Sequence, residues 1–412
     1  MRPILILVSL VIVACAPEAP PRDEEVPTEP VYYGEVDRIL AENCVECHSA
    51  SPDRLAPFSL ATYDDAVASA ENAPIAFAVM NRMMPPYFAD DSGSCRTYHD
   101  NKWLTDDQIA ALVAWTNGAR AAGDPARASP PADPLPALVS VDAVLDLGGD
   151  YLPTQSVDDE YRCFVVDPGQ TTDQFLTGFH VHPGNASVVH HVIVFSLPDA
   201  AAADEAVALD AAAPGLGYPC QGGAGPAGAA FLLGWAPGNQ AVFFPTETGI
   251  RIASHRQVVM QIHYNLAGSD GLPDRTTVDF QLAGAVVDEA RIVGIPASVN
   301  LPPGQSDVTA VGSINVPLGR TGRVWGTAMH MHQRGTGGGV AMRGESDACL
   351  LDLANWSFHW QHFYWFDEPA VLSGGEQLEV TCRYDTSDDT APVTWGEGTA
   401  DEMCLAYLYV SE

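Results

Sequence analysis

The sequence has few basic residues and no apolar run long enough to cross a membrane as a helix. Lys and Arg together number 19 against 53 Asp and Glu, so the 412-residue chain carries a formal net charge of -34. A surface of this charge repels nucleic acid and anionic lipid headgroups, and nucleic-acid binding is therefore excluded as a function. Hydrophobic residues still make up 47% of the chain, which is enough for a sizeable core.

The first residues have the pattern of a bacterial export signal. Arg2 supplies a positive charge, and the apolar run that follows, interrupted only by Ser9, is too short to span a bilayer. The run ends in Ile-Val-Ala-Cys15, which resembles a lipobox, so we expect residues 1–14 to be removed and Cys15 to be lipidated. An ordinary cleaved signal with an incidental cysteine is the alternative. Ala16 after the anchor favours the outer membrane in a Gram-negative host, so we expect an exported lipoprotein on the periplasmic face of that membrane or on the cell surface.

Composition divides the next part of the chain into a tether, a helical region and a linker. Residues 15–30 are rich in Pro and Glu and too poor in apolar residues to fold, which indicates a disordered tether. Residues 31–124 carry apolar residues at helical spacing and a capping box that Thr105 and Gln108 would form, so we predict a small all-α domain. The Pro- and Ala-rich residues 125–139 follow as a linker.

From residue 140 onward, short apolar runs alternate with Gly, Pro and Asp turns, which is typical of an all-β fold. The strands predicted from these runs cover residues 188–197, 257–265, 323–333, 377–384 and 403–410. Trp and Tyr concentrate in residues 356–365, which we interpret as core and sheet packing. We expect two tandem β-sandwiches, residues 140–286 and 287–412. The predicted fold class is therefore multidomain: a small all-α domain followed by two all-β, jelly-roll-like domains.

The helical region contains a motif for covalent haem. Cys44-Val-Glu-Cys47-His48 places two thiols one helical turn apart, where each can bond a haem vinyl group, and the adjacent His48 can bind the iron. A redox-active disulfide would need a thioredoxin-like βαβ context, which is absent. A zinc site would need a second ligand pair, for which Cys95 and His99 are a poor match. We therefore predict one covalent haem c, which makes the all-α region a c-type cytochrome domain.

The sixth ligand of that haem is predicted at Met84. It lies in Met83-Met84-Pro-Pro, downstream of His48, and a methionine beside a proline-fixed turn resembles the distal loop of small cytochromes c. Met83 and Met80 are alternatives, and a spare methionine could instead serve only to pack the core.

Four separate segments of the all-β region carry side chains that suit copper. These side chains are His190 and His191, His263, His330 and His332, and Met403. His330 and His332 are two apart on a predicted strand, so both face one side and can bind one metal. His190 and His191 are adjacent, so they can share a metal only at a bulge, a strand end or an edge. Each histidine alone could be an ordinary hydrogen-bonded strand residue.

With their neighbours, these segments resemble the copper type II, ascorbate-dependent monooxygenases, the family of peptidylglycine α-hydroxylating monooxygenase and dopamine β-monooxygenase. The resemblance covers residues from about 140 to 412 and rests on motifs in this order: Tyr161-Arg-Cys163, His190-His191, Gln261-Ile-His263-Tyr264, His330-x-His332, Cys382-Arg-Tyr384 and Asp401-Glu-Met403-Cys404. It implies two copper ions on two β-sandwich domains.

The resemblance also implies a role for each ligand. The copper that stores an electron is matched by His190, His191 and His263. The copper that binds O₂ is matched by the predicted catalytic residues His330, His332 and Met403. A thioether ligand favours Cu(I), the state that meets O₂.

The nine cysteines fit an oxidising compartment. The disulfides expected within the sandwiches are Cys382–Cys404, matched to the family's pair, and Cys163–Cys220. The first of these would brace Met403. Cys95 and Cys349 are left over, and whether they pair stays open.

The predicted activity is copper-dependent hydroxylation of a C–H bond in a small organic substrate by O₂. Each copper supplies one of the two electrons that the reaction needs. An external donor, either an ascorbate-like reductant or another redox protein, would replace them, and haem at His48 offers a relay within the polypeptide. A non-catalytic copper and haem electron-transfer or copper-holding lipoprotein is the alternative.

The sequence departs from the peptide-hydroxylating members of the family where they bind a substrate carboxylate through an Arg, an Asn and a Tyr. Tyr407 fills the Tyr position and is the predicted substrate-binding residue, but Leu405 and Ala328 occupy the other two. A buried carboxylate without its charged partner is strongly disfavoured. A peptide with a C-terminal glycine is therefore not the expected substrate.

Overall fold

The structure of the protein, a computed structural model, describes residues 29–50, 56–90, 92–99, 101–131, 136–154, 156–344 and 347–412. The expected signal peptide, Cys15 and all but the last two residues of the tether lie outside the described residues. Within the described part of the chain, no helix is both long and apolar enough to cross a membrane.

Short helices form the amino-terminal region, as the spacing of its apolar residues predicts. They are α1 (Asp37–Asn43), α2 (Tyr63–Asn72), α3 (Ile75–Met80) and α4 (Asp106–Asn117), with a π-type turn at Tyr32–Val36 and a 3₁₀ turn at Pro125–Arg127. The predicted capping box is confirmed at the start of α4, where the side chains of Thr105 and Gln108 each accept a hydrogen bond from the other residue's backbone N–H. Leu112 from α4 packs with Leu40 from α1 in one small apolar core.

Among the described residues, the first sandwich is built from ten strands and one helix. The strands are β1 (Ala143–Asp146), β2 (Asp159–Val166), β3 (Gln174–His182), β4 (Val189–Ser196), β5 (Tyr218–Pro219), β6 (Ala230–Trp235), β7 (Val242–Phe243), β8 (Thr248–Ile252), β9 (Val258–Asn265) and β10 (Thr277–Ala283). One layer has the order β5-β2-β9-β4-β6, and the layer facing it has the order β1-β10-β3-β8, with β7 paired to β3. Helix α5 (Ala200–Ala212) connects β4 to β5. It was not predicted, because its alanine-rich sequence has no amphipathic pattern.

The second sandwich contains the remaining strands. They are β11 (Asp288–Pro296), β12 (Asn300–Leu301), β13 (Val308–Asn315), β14 (Thr321–His330), β15 (Gly335–Arg343), β16 (Ala348–Leu353), β17 (Tyr364–Ser373), β18 (Gln377–Tyr384), β19 (Val393–Thr394) and β20 (Leu405–Ser411). The layer β13-β18-β15-β16 packs on the layer β11-β20-β14-β17, and β12 pairs with β19. The five strands predicted from apolar runs correspond to β4, β9, β14, β18 and β20.

The two sandwiches share a sheet. β8 of the first sandwich pairs in parallel with β11 of the second. This pairing joins the layer β1-β10-β3-β8, with β7, to the layer β11-β20-β14-β17 in one nine-stranded sheet. Tyr409 from β20 is buried in the core of the first sandwich, and its hydroxyl lies 2.9 Å from that of Thr248 in β8. The predicted tandem sandwiches are therefore joined edge to edge through hydrogen-bonded strands.

Between α3 and α4 the chain leaves the helical region and packs on the second sandwich; residues 86–90 and 92–99 are called the strap below. Tyr98 is buried in the core of that sandwich, and β-bridges connect the strap to β16 and β17. A disulfide joins Cys95 to Cys349 of β16. The pairing that the sequence left open is therefore present. Part of the region expected to form a separate domain contributes to the core of the second sandwich.

Candidate metal centres

The adjacent histidines His190 and His191 lie at a β-bulge near the start of β4. In the pairing of β4 with β9, Val189 is opposite Tyr264 and His191 is opposite His263, so His190 is an extra residue on β4. The bulge interrupts the alternation of a regular strand, and both side chains approach His263. A bulge is one of the three arrangements in which the sequence allows this pair to share a metal.

The three histidines form a site of metal-binding size. Their ligand nitrogens all lie within 4.8 Å of one another. Nδ1 of His263 is 3.4 Å from Nδ1 of His191. Two nitrogens bound to one tetrahedral ion at about 2.0 Å would be separated by about 3.3 Å. Within the described part of the chain, both ring nitrogens of His190 are buried without a hydrogen-bond partner, which is costly unless a bound group satisfies them. This set of histidines therefore fits a metal ion.

Asp159 sets the orientation of His263. Nε2 of His263 donates to Oδ1 of Asp159 at 2.9 Å, so Nδ1 carries the lone pair and faces His191. Burial raises the pKa of Asp159, but hydrogen bonds from His263 and Thr399 outweigh burial and lower that pKa to about 2. Tyr161 stacks on the His263 ring with centroids 4.2 Å apart. The ring is therefore fixed on one edge and on one face.

The second pair of histidines lies at the end of β14. His330 is the last residue of the strand, His332 follows just beyond it, and their ring centroids are 5.1 Å apart. Nδ1 of His330 donates to Oε1 of Gln361 at 2.7 Å, and Nδ1 of His332 donates to the carbonyl of Asp401 at 3.1 Å. With Nδ1 protonated, each ring offers Nε2 to a metal. Met331 between them is buried in the core of the second sandwich.

Met403 lies in the short segment that precedes β20, the strand paired with β14. Leu405 is opposite His330 in that pairing, and the carbonyl of Asp401, two residues before Met403, accepts a hydrogen bond from Nδ1 of His332. The Met403 side chain is buried. The pairing of two strands thus brings a thioether and two imidazoles to one end of the shared sheet.

Glu402 fixes the junction between these two strand ends. Its buried carboxylate accepts the backbone N–H of His332 at 2.8 Å and that of Arg334 at 2.7 Å. Burial raises the pKa of Glu402, and these backbone hydrogen bonds oppose the rise. The residue directly before Met403 therefore holds the segment that carries His332.

The two disulfides expected within the sandwiches are both formed, Cys163–Cys220 and Cys382–Cys404. Cys163 lies on β2 opposite Gln261 of β9, two residues before His263. Cys404 directly follows Met403, so its disulfide attaches that end of the chain to β18.

The two sets of ligands are adjacent. The ring centroids of His191 and His330 are 6.3 Å apart. Phe358 stacks on His190 at 4.4 Å and lies 5.7 Å from the ring of His332. One aromatic side chain therefore contacts both sets.

Residues 396–403 connect the two sets across the sandwiches. The Tyr161 hydroxyl donates to the carbonyl of Glu397 at 2.7 Å, and the Thr399 hydroxyl donates to Oδ1 of Asp159 at 2.8 Å. The same segment ends at the second ligand set. A short stretch of chain therefore contacts residues beside both sets.

Burial lowers the pKa of histidines in both sets. Burial, together with the neighbouring histidines, lowers the pKa of His190 to about 3 and that of His191 well below its ordinary value. Burial also lowers the pKa of His330 to about 3. Neutral imidazole is the form that binds a metal, so protons do not compete for these nitrogens at neutral pH.

The haem motif begins at the end of α1. Cys44 and Cys47 do not form a disulfide, and burial raises the pKa of their thiols to about 12 and about 11. Nδ1 of His48 lies 3.0 Å from the carbonyl of Phe58. A metal-bound histidine commonly makes such a hydrogen bond through the nitrogen that does not bind the metal, and this bond orients the ring. These side chains fit a covalently attached haem.

Exposure distinguishes the candidate distal methionines. Met80 and Met83 are 53% and 52% exposed, whereas Met84 is half-buried. An iron ligand must point into the protein, so exposure favours Met84 among the three. Its ligation of haem iron stays a prediction.

The predicted substrate residue, Tyr407, lies on β20 opposite Ala328 of β14. Its ring packs on Phe231 of the first sandwich, with centroids 4.7 Å apart. Leu405, two residues earlier on the same strand, is opposite His330. The two positions that depart from the family's carboxylate site therefore lie beside the second ligand set, and both are apolar. Substrate binding by Tyr407 stays a prediction.

Sequence reasoning missed the residues that orient the ligands: Asp159, Gln361 and Glu402. Asp159 lies two residues before Tyr161, and Glu402 directly precedes Met403, so closeness to a motif was an available signal for both. Gln361 lies in the aromatic segment that we interpreted as packing, and no local signal indicated its contact with His330.

Two adjacent sets of histidines, one of His190, His191 and His263 and one of His330 and His332, lie on paired β-sandwiches, and imidazole is a ligand that suits redox metals such as copper. The chain belongs to the copper type II ascorbate-dependent monooxygenase family. Residues 146–269 match the N-terminal domain of that family, and residues 295–411 match its C-terminal domain.

Curated relatives carry names from the same family. The chain is 28% identical over 203 residues to DBH-like monooxygenase protein 1 of Mus musculus, which covers 43% of this chain and 32% of that protein. It is 25% identical over 284 residues to tyramine beta-hydroxylase of Caenorhabditis briggsae, covering 62% of this chain and 46% of that protein. It is 23% identical over 303 residues to dopamine beta-hydroxylase of Homo sapiens, covering 67% of this chain and 47% of that protein. The chain thus spans about a third to a half of the length of these relatives.

Proposed function

We propose that this protein is a copper-dependent monooxygenase that hydroxylates a C–H bond of a small organic substrate with O₂, and that a c-type haem in its helical region relays the electrons. The observation that carries the proposal is the meeting of five predicted histidine ligands in two adjacent sets: His190, His191 and His263 beside His330 and His332. Met403 supports it, since this residue lies two positions before Leu405, which is opposite His330 in the pairing of β14 with β20.

Hydroxylation converts R–H, O₂, two electrons and two protons into R–OH and water. Copper, when bound, would supply one-electron chemistry at both centres and O₂ binding at the second. The chain's own residues hold the ligands ready for it. Asp159 fixes the ring of His263, and Gln361 fixes the ring of His330. Because these rings are buried and oriented before the metal arrives, little reorganisation is needed to bind it.

The surroundings of the second centre suit an uncharged substrate group. Leu405 on β20 is opposite His330 of β14, Ala328 lies two residues before His330 on β14, and Tyr407 of β20 is opposite Ala328. We propose that the substrate binds against these residues, which offer no cation for a carboxylate. The buried thioether of Met403 favours the reduced state of the metal that O₂ requires.

The haem would be attached through Cys44 and Cys47, with His48 and Met84 as its axial ligands. An ascorbate-like reductant or another redox protein would deliver electrons from outside the chain. We also propose that the protein is exported and anchored to a membrane through Cys15, at the periplasmic face of an outer membrane or at the cell surface.

Metal analysis and labelled oxygen together test the proposal. Purified protein should contain about two copper ions and one haem per chain. The reduced protein is offered small organic molecules under ¹⁸O₂, including the dopamine and tyramine that the relatives' names specify, and one ¹⁸O atom should enter the product. His330→Ala should abolish the label, whereas His99→Ala, at an exposed strap position, should not. Bound copper and haem without substrate-dependent O₂ uptake would overturn the enzyme assignment and support a copper-holding or electron-transfer protein.

A further inference from the structure

One predicted copper ligand, His190, makes no hydrogen bond that could orient its ring. The rings of His263, His330 and His332 each donate to a protein oxygen. Both ring nitrogens of His190 are instead buried without a hydrogen-bond partner in the described part of the chain. A metal ion bound to one of these nitrogens would still leave the other without the partner that usually fixes a metal-bound histidine. The His190 ring must therefore be held by packing.

Phe358 supplies this packing. Its ring lies on that of His190 with centroids 4.4 Å apart and planes inclined by 23°. The rings of His191, His263 and His359 also surround His190, but at steep angles and at 5.0 to 6.5 Å. Among the described rings around His190, Phe358 is therefore the one that covers its face. Tilting the imidazole would break this face-to-face contact, so the stack restricts its orientation.

Phe358 reaches His190 from the other sandwich. It belongs to residues 354–363, called the aromatic loop below, which connect β16 to β17 in the second sandwich. His190 lies on β4 of the first sandwich. Only 7% of Phe358 is exposed, so its ring is almost completely removed from water. The first ligand set is thus completed by a side chain of the second sandwich.

The aromatic loop is fixed beside the second ligand set. Nε1 of Trp356 donates to the carbonyl of His332 at 3.0 Å. The amide nitrogen of Gln361 donates to the carbonyl of Phe358 at 2.8 Å, and its Oε1 accepts the Nδ1 proton of His330 at 2.7 Å. The position of Phe358 is therefore determined by the residues that also hold the second set.

Contacts with the first sandwich hold the same loop from its other side. The indole of Trp360 packs directly on Gly238, where any Cβ atom would overlap it. Nδ2 of Asn239 donates to the carbonyl of Gln361 at 2.8 Å. Because both sandwiches hold the loop, Phe358 cannot move away from His190 without breaking several contacts.

We propose that Phe358 is a positioning residue for His190, which it holds as the third ligand of the all-histidine copper by stacking on it across the boundary between the sandwiches. This inference rests on the proposed function. An imidazole bound to Cu(II) carries part of the positive charge of the metal, and the electron-rich face of a phenyl ring attracts it. The stack therefore stabilises the copper-bound ring, and it stabilises the Cu(II) form more than the Cu(I) form.

Copper affinity of the all-histidine set tests this role in the full-length protein. Affinity is measured by competition with a chelator, and the Cu(II) EPR spectrum shows which set is affected. Phe358→Leu keeps an apolar side chain but removes the aromatic face, and we expect it to weaken binding about three- to tenfold. Phe358→Ala also removes the bulk and should weaken binding further, whereas Phe358→Tyr keeps the stacked ring and should retain most of the affinity.

Phe363→Leu is the matched control, because it makes the same substitution in the same loop. The Phe363 ring stacks on Trp365 with centroids 5.0 Å apart and has no ring contact with the ligand histidines. This variant should bind copper as the wild type does. Equal losses of affinity in Phe358→Leu and Phe363→Leu would contradict a specific role for Phe358.

Two further readouts separate positioning from general packing. Phe358→Leu should raise the reduction potential of the all-histidine copper, because Cu(II) loses the aromatic face that stabilises it. In a double-mutant cycle, Phe358→Leu should cost no further copper affinity once His190→Ala has removed the ring on which it acts. An unchanged potential together with an equal cost in both backgrounds would overturn the role of Phe358.

Failure of this inference and failure of the proposed function give different results. Each variant is first checked for wild-type folding and for the wild-type EPR spectrum of the second set. Wild-type protein that binds no copper at either set would overturn the proposed function itself. Wild-type protein that binds copper at both sets, while Phe358→Leu and Phe358→Ala keep the wild-type affinity of the all-histidine set, would overturn only the positioning role.

Discussion

Asp159 is the residue on which the orientation of the first ligand set depends. Its carboxylate accepts the Nε2 proton of His263 at 2.9 Å and is itself held by the Thr399 hydroxyl at 2.8 Å. Because its pKa is lowered to about 2, the carboxylate stays charged at neutral pH. A charged acceptor fixes the tautomer of the histidine and makes its other nitrogen a better metal ligand.

Asp159→Asn should therefore lower the copper affinity of the all-histidine set by about ten- to a hundredfold. The amide can present an N–H where His263 needs an acceptor, so the tautomer is no longer fixed. Copper affinity is measured by competition with a chelator, and the Cu(II) EPR spectrum shows which set is affected. Asp173→Asn, which removes a carboxylate paired with Arg251 at the surface, is the matched control and should bind copper as the wild type does. Wild-type affinity in Asp159→Asn would contradict the assigned role.

At this scale the sequence predicted the histidines that the fold brings together, but not the residues that orient them. Copper restricts its ligands to a few residue types, so His263 could be found from its motif. The partner of its second nitrogen is separated from it by 104 residues, and the register of β2 against β9 brings the two together. No short motif encodes such a register.

The second candidate ligand set lies at the ends of β14 and β20, and Glu402 connects these two strand ends. Its carboxylate accepts two backbone N–H groups from the chain that follows β14, at His332 and Arg334. Those groups are removed from the regular strand pairing, since β14 ends at His330. The carboxylate thus accepts the hydrogen bonds that a neighbouring strand would otherwise accept.

Glu402→Ala should reduce the free energy of unfolding of the copper-free protein by about 1–3 kcal/mol, because two buried donors lose their acceptor. The measurement is equilibrium denaturant unfolding, accompanied by copper analysis of the second set. Glu42→Ala removes a half-exposed carboxylate that pairs with Arg38 and should change the unfolding free energy by less than about 0.5 kcal/mol. Equal effects of the two substitutions would show that Glu402 does not hold the junction.

Alternation of apolar residues predicted the strands that carry the ligands, but pairings between distant strands could not be predicted in the same way. From the sequence, His190 and His191 could share a metal only at a bulge, a strand end or an edge. The pairing of β4 with β9 shows that they lie at a bulge. The parallel pairing of β8 with β11 depends on how two sandwiches meet, and each strand alone carries no sign of it.

At the scale of the whole molecule, the strap and its disulfide join the helical region to the second sandwich. Cys95 and Cys349 are separated by 254 residues, so their bond restricts a large part of the unfolded chain. The double substitution Cys95→Ser and Cys349→Ser should lower the free energy of unfolding by about 2–5 kcal/mol. Denaturant unfolding measures this loss. An unfolding free energy that matches the wild type would contradict a stabilising role for the strap.

Copper should stabilise both sandwiches together, because each centre depends on contacts from the other. β4 and β9 supply the first set, β14 and β20 supply the second, and residues 396–403 touch both. A ligand that binds only the folded state stabilises it, by about 2.7 kcal/mol per site at a free concentration of a hundred times Kd. Removal of copper by a chelator should therefore lower the Tm of the sandwiches in one cooperative step, and copper should restore it. The variant with both His191→Ala and His330→Ala is the control, and its Tm should not respond to copper. A wild-type Tm that also does not change with copper would show that these histidines do not bind the metal in the folded protein.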